Sequence, residues 1–72
     1  MEISLIGTHA GAVWTALNEK GEMDLAKLKK ESKLADTEVL AAIGWLAREG
    51  KIQCTETKKG RRTVEIFSLV QE

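Results

Sequence analysis

The chain has 72 residues, 43% of them apolar and 31% charged, with 11 Lys and Arg against 11 Asp and Glu. That is the make-up of one small globular domain, too apolar and too nearly neutral to be intrinsically disordered. A single Cys54 excludes an internal disulfide, and one Cys with one His, His9, falls short of the ligand set of a structural zinc site.

No apolar run approaches the roughly 20 residues of a membrane span, and the N-terminus lacks a basic region ahead of its short apolar stretch. With one free thiol, these features predict a cytoplasmic protein with no membrane partner. A domain this short buries only about 60% of its unfolded surface, so a homodimer is the supplement left open. Net neutrality gives no overall field toward nucleic acid, and any basic surface is therefore local. Residues 1–25 set Glu2, Glu19, Glu22 and Asp24 against Lys20, a net −3. Residues 51–64 set Lys51, Lys58, Lys59, Arg61 and Arg62 against Glu56, a net +4 centred on Gly60.

In chain order, Thr8 is expected to cap a helix over about 8–20, in which Ala10, Val13, Trp14 and Leu17 fall on one face and Gly21 supplies the stop. Trp14 is thereby placed in the core. Asp24 is expected to cap a second helix, about 24–32, with Leu25 and Leu28 inward, Lys27, Lys29, Lys30 and Glu31 outward, and Leu34 closing the turn after it. A third helix, about 36–48, carries Val39, Leu40, Ile43, Leu46 and Ala47 on its inner face and stops at Gly50, with Asp36 as its expected cap. The period then changes to two. Ile52 and Cys54 alternate with Gln53 and Thr55 in a strand over about 51–57, Lys58-Lys59-Gly60-Arg61 makes a tight turn, and a second strand returns over about 62–70. Val64 and Ile66 share one face of that strand, Phe67 and Leu69 the other. Apolar residues on both faces call for a cover over Phe67 and Leu69, either Ile3 and Leu5 or a partner subunit.

Three helices with short connections and then a β-hairpin form a mainly α fold with a small antiparallel β element (α+β): a winged helix-turn-helix, a three-helix bundle with a hairpin wing, over residues 1–72. Leu25-Ala26-Lys27-Leu28, then Leu34, Val39, Ile43, Leu46, Gly50 and Ile52, resemble the general winged-helix pattern. Ile6-Gly7-Thr8-His9-Ala10-Gly11 with Trp14, Leu17 and Asn18 to Gly21, followed by Gly44-Trp45-Leu46-Ala47-Arg48-Glu49-Gly50-Lys51-Ile52, resemble more closely a family of small stand-alone bacterial winged helix-turn-helix proteins of uncharacterised function. The resemblance implies the fold and, as function, DNA binding.

A winged helix that reads DNA sets the start of its third helix in the major groove and holds phosphates with basic residues of the wing and second helix. With the core positions removed, this third helix exposes Asp36, Thr37, Glu38, Ala41, Ala42, Gly44, Trp45 and Arg48. Asp36 and Glu38 have the wrong sign, Thr37 alone bonds a base edge in the usual way, and Ala41 and Ala42 offer at most contact with a thymine methyl. The stronger case for DNA is the wing, with Lys58, Lys59, Arg61 and Arg62 at its tip and Lys27, Lys29, Lys30 and Lys33 on the second helix. The same charges also serve as a solvated edge that discourages strand-to-strand aggregation.

Trp45 is expected to be partly exposed, either packed on its own wing or anchoring a protein interface with Ala41, Ala42, Phe67 and Leu69. His9, near the start of the first helix, reads as a surface residue or a local partner to that helix's end, and Cys54 as a small buried apolar residue. No nucleophile stands with a spaced base, and single glycines at element ends make no phosphate-binding loop, so no catalysis, cofactor, metal or small-molecule ligand is expected. Two readings stand: a DNA-binding regulator or architectural protein gripping phosphates through its wing, or an interaction module on the same frame. The wing charge and the habit of this fold favour the first.

Overall fold

A computed structural model describes residues 2–70. A 3-10 turn, Ile3–Leu5, leads into α1 (Ile6–Lys20), followed by a two-residue strand β1 (Met23–Asp24), α2 (Leu25–Ser32), α3 (Asp36–Arg48) and the hairpin of β2 (Ile52–Lys59) and β3 (Arg62–Leu69). Among the described residues no helix is long and apolar enough to cross a membrane.

α1 starts two residues before its expected beginning, and Thr8 lies inside it rather than capping it. The 3-10 turn supplies the start instead, because the Ile6 N–H donates to the Ile3 carbonyl and leaves fewer free donors to cap. At the other end Gly21 takes φ 84° and its N–H donates to the Leu17 carbonyl at 2.9 Å. Glycine accepts that positive φ without a side-chain clash. α2 is capped as expected, the Asp24 carboxylate accepting from the Lys27 N–H at 2.9 Å. Between α2 and α3 Lys33 adopts the left-handed conformation at φ 60°, which makes the tight turn of the helix-turn-helix.

The core comprises Ala10, Val13, Ala16 and Leu17 of α1, Met23, Leu28 of α2, Val39, Ala42 and Leu46 of α3, and Ile52. Leu34, Ile43, Phe67 and Leu69 pack against it, half-buried. Several expectations from periodicity fail here. Trp14 is 40% exposed, Leu25 39% and Leu40 54%, while Ala42, expected on the outer face, is fully buried and Ala47 is exposed. Alanines fill the buried positions where helices meet, Ala10 and Ala16 on α1 and Ala42 on α3. Larger apolar side chains at the edges of those faces are left in grooves.

The sheet is antiparallel in the order β1-β3-β2. Met23 and Asp24 pair with Phe67 and Ile66, so the third strand comes from the stretch before α2 and not from Ile3 and Leu5. The hairpin closes through Gly60 and Arg61, with Gly60 at φ 65° in the first loop position, as a two-residue hairpin turn requires. Counting outward from that turn fixes the pairing: Lys59 with Arg62, Thr57 with Val64, Glu56 with Glu65, Cys54 with Phe67 and Ile52 with Leu69. The face bearing Ile52, Phe67, Leu69 and Met23 turns to the helices, so the core itself covers Phe67 and Leu69 and they form no outward surface. Cys54 lies on that face but on the edge strand β2, and it is exposed, contrary to expectation.

Candidate nucleic-acid interface

Alternation along the ribbon gives the wing two unlike faces. The face toward the helices ends in Glu56 and Glu65, directly opposite one another, with Lys58 and Thr63 beyond them. The opposite face carries Gln53, Thr55, Thr57 and Lys59 on β2 and Ile66, Val64 and Arg62 on β3. Lys59 and Arg62 are therefore neighbours across the strands, and Arg61 stands beside them in the turn. The pairing that joins them also placed the uncharged Thr55 and Thr57 beneath them, which reading the charges alone missed. Counting back from Gly60 was the available signal.

All four wing cations are exposed, and none has an ion-pair partner among the described residues. Like charges directly opposite one another destabilise a strand pair. Both the Lys59–Arg62 pair and the Glu56–Glu65 pair carry that cost. Glu65 relieves part of its own by accepting a weak hydrogen bond from the Cys54 thiol at 3.4 Å. Desolvation by its surroundings, that bond and the charges of Glu65 and Glu56 raise the Cys54 pKa.

Lys27 and Lys30 lie three apart on α2, both exposed and free of ion pairs among the described residues, whereas Lys29 is bound to Asp36 at 2.6 Å. The two acids at the start of α3 are thus used inside the chain. Asp36 does not cap the helix, because Ala35 holds the cap position, and its carboxylate pairs with Lys29 instead. Glu38 turns back to accept from the Ala35 N–H at 2.8 Å, half of a capping box whose other half Ala35 lacks the side chain to complete. Its second oxygen lies 3.6 Å from Nε2 of His9, which reaches across from α1 and is largely buried. His9 is therefore neither a surface residue nor a partner to the end of its own helix: it meets the start of α3.

The outward stripe of α3 is Thr37, Ala41, Gly44 and Arg48, spaced four, three and four residues apart. Leu40 flanks it on the wing side, lining one groove with Asp24, Leu25 and Ala26 and with Lys59, Arg62, Thr63, Val64, Glu65 and Phe67 of the hairpin, so two acids border it as well as two cations. Trp45, 48% exposed, flanks it on the other side, where its ring lies against α1 near Gly7 rather than on the wing. The cationic tip and the wing side of α3 thus border a single concavity. Thr37 supplies the one hydroxyl on the outward stripe.

Among the described residues no three His, Cys, Asp or Glu side chains gather as a metal site would need. No curated protein matches the sequence. The family model for a winged helix-turn-helix domain, DUF2582, matches residues 1–65, and with the three helices and antiparallel wing described above it establishes that the chain belongs to this winged helix-turn-helix family.

Proposed function

We propose that this protein is a DNA-binding module, a transcription regulator or architectural factor without catalytic activity, that holds duplex DNA by its phosphates through the wing. The observation that carries this reading is the set of four exposed wing cations without ion pairs among the described residues, with Lys59 and Arg62 set directly opposite each other. A like-charge pair kept at some cost to the ribbon is relieved by a polyanion, and each phosphate it meets releases counterions. Thr55 and Thr57 continue that face and can donate hydrogen bonds to phosphate oxygens. Lys27 and Lys30 add charge from α2. Tying Asp36 to Lys29 and Glu38 to Ala35 and His9 lessens the repulsion that the start of α3 presents to a backbone. Base reading is slight, resting on Thr37 with Ala41 and Leu40 for methyl contact. The setting we assign is the cytoplasm, where an exposed thiol such as Cys54 stays reduced.

The test is titration of the protein with random-sequence duplex DNA at low and at physiological salt. Binding is expected in about the 10⁻⁴–10⁻⁶ M range of non-specific association, weakening steeply with salt. Lys59→Glu with Arg62→Glu is expected to abolish it. An absence of binding at low salt, or binding that survives the double reversal, overturns the reading.

A further inference from the structure

One edge of the wing is open. The sheet runs β1-β3-β2, so β2 is bonded to β3 along one side and, among the described residues, no strand meets the other. From Gln53 to Lys59 the strand is exposed throughout, with no proline and no break in its register against β3. An edge eight residues long is a template for a further strand, which sheets ordinarily blunt with short edge strands, proline, bulges or charge. Here only charge is left, and it decides which strand fits.

The backbone fixes what the edge offers. In an antiparallel pair, residues that exchange hydrogen bonds alternate with residues that do not. The Val70 N–H donates to the Lys51 carbonyl at 2.9 Å, and these two residues continue the register that runs from Lys59–Arg62 to Ile52–Leu69. The odd-numbered residues of β2 are thus the ones that bond to β3. Cys54, Glu56 and Lys58 turn their N–H and C=O groups to the open side.

We propose that the added strand is β2 of a second copy of this chain, antiparallel across a two-fold axis, with Thr57 opposite the partner's Thr57. Glu56 then stands opposite the partner's Lys58, and Lys58 opposite the partner's Glu56. Both are bonding positions of the open edge, as the ladder requires. The neighbouring axes in phase with that ladder fail on charge. An axis at Glu56 sets that acid against its own copy, an axis at Lys58 does the same for the lysine, and an axis at Thr55 sets Lys59 against the partner's Lys51. Like charges directly opposite destabilise a strand pair, whereas opposite charges and Thr–Thr pairs stabilise it. Of these four, the axis at Thr57 alone opposes acid to base. It also answers a cost within each ribbon: Glu56 and Glu65, set against one another, gain the partner's Lys58 beside them, and Lys58 has no ion pair of its own among the described residues.

Such an axis stands perpendicular to the ribbon, so two three-stranded sheets become one of six strands and both copies show the same face on the same side. Lys59 and Arg62 of the two wings share that side. The pairing itself does not rest on DNA binding.

The contact is short, below the ~800 Å² per partner of a standard interface, which places its Kd on the order of 10⁻⁴ M. The experiment is sedimentation equilibrium of the full chain up to about 1 mM, tenfold above that constant, with amide hydrogen exchange followed by NMR on the same samples. The expected result is a mass rising from 7.9 kDa toward twice that, the Glu56 and Lys58 amides slowing in step. Lys58→Glu is expected to weaken pairing roughly tenfold, and so is Glu56→Lys as a separate variant. Both substitutions in one chain restore acid opposite base at unchanged composition and are expected to recover the pairing. Circular dichroism checks that each variant keeps the fold. A single-chain mass at the highest concentration overturns the proposal. So does a dimer whose Glu56 and Lys58 amides exchange as fast as in dilute solution, one that both single substitutions leave intact, or one that the double substitution fails to recover.

Discussion

α1 and the wing differ first in charge: sixteen residues without Asp, Glu, Lys or Arg in and before one, four cations around a single glycine in the other. They differ as much in burial. α1 sinks Ala10, Val13, Ala16 and Leu17 into the core, whereas Ile52 is the only buried residue of β2. The outer ribbon is held by its own ladder and turn, so its side chains are free to carry charge at little cost to folding. α1 is held by its side chains, and its solvent side avoids Asp, Glu, Lys and Arg as far as Asn18. Stability and contact chemistry are therefore assigned to different parts of a very short chain.

The comparison breaks most readily at Leu17. It is 3% exposed, and Leu17→Ala is expected to cost 2–5 kcal/mol, a large part of the stability of a domain this size. Lys58→Ala on the wing is expected to stay within about 0.5 kcal/mol. Urea denaturation of both variants checks the contrast, and similar losses would mean that the ribbon shares in the core. At the joint between the two regions, Asp24 caps α2 and pairs with Ile66 of β3. Asp24→Ala is expected to lower stability by about 1 kcal/mol through the lost cap, again read by urea. Asp24→Asn, which keeps the accepting oxygen, should recover most of it. The smallest effect concerns Cys54. Because its pKa is raised, the thiol should react with iodoacetamide more slowly at pH 8 than an unstructured cysteine peptide, and the rate should climb at higher pH. Glu65→Gln removes the negative charge beside the thiol, lowers the pKa and speeds the reaction. An unchanged rate would show that the Glu65 contact does not govern the thiol.

The frame of the fold was legible because its signals are local and repeated. Glycines at 21, 50 and 60 punctuate it, all at positive φ, and Val13, Leu17, Leu28, Val39 and Leu46 recur at helical spacing on buried faces. β1 was missed because two residues are too few to alternate, and because Asp24 already read as a cap, which it also is. Trp14, Leu25 and Leu40 were misplaced for a common reason. Periodicity ranks a position by apolar size, while the crossing of short helices selects for smallness, and Ala16 and Ala42 took the buried places. The wing cations were legible as a run. Their division between two faces was not, since it depends on the register set by the Gly60 turn. The ties from Lys29 to Asp36 and from His9 to Glu38 join separate helices and leave no local trace in the sequence.

The two-faced ribbon makes parity a property of this protein. Odd-numbered residues of β2 and even-numbered residues of β3 share the ribbon face opposite the one that packs on the core, and Lys59 and Arg62 meet there because the turn between them holds two residues. Glu56 lies three positions from Lys59 and Glu65 three from Arg62, hence on the other side, which Lys58 shares with the acids. Any approaching polyanion thus meets a polarity fixed by counting rather than by composition. One residue inserted before Gly60 would conserve every charge and exchange the sides on which those of one strand appear. Variation in wing length is therefore a more severe change to this surface than most replacements of its side chains.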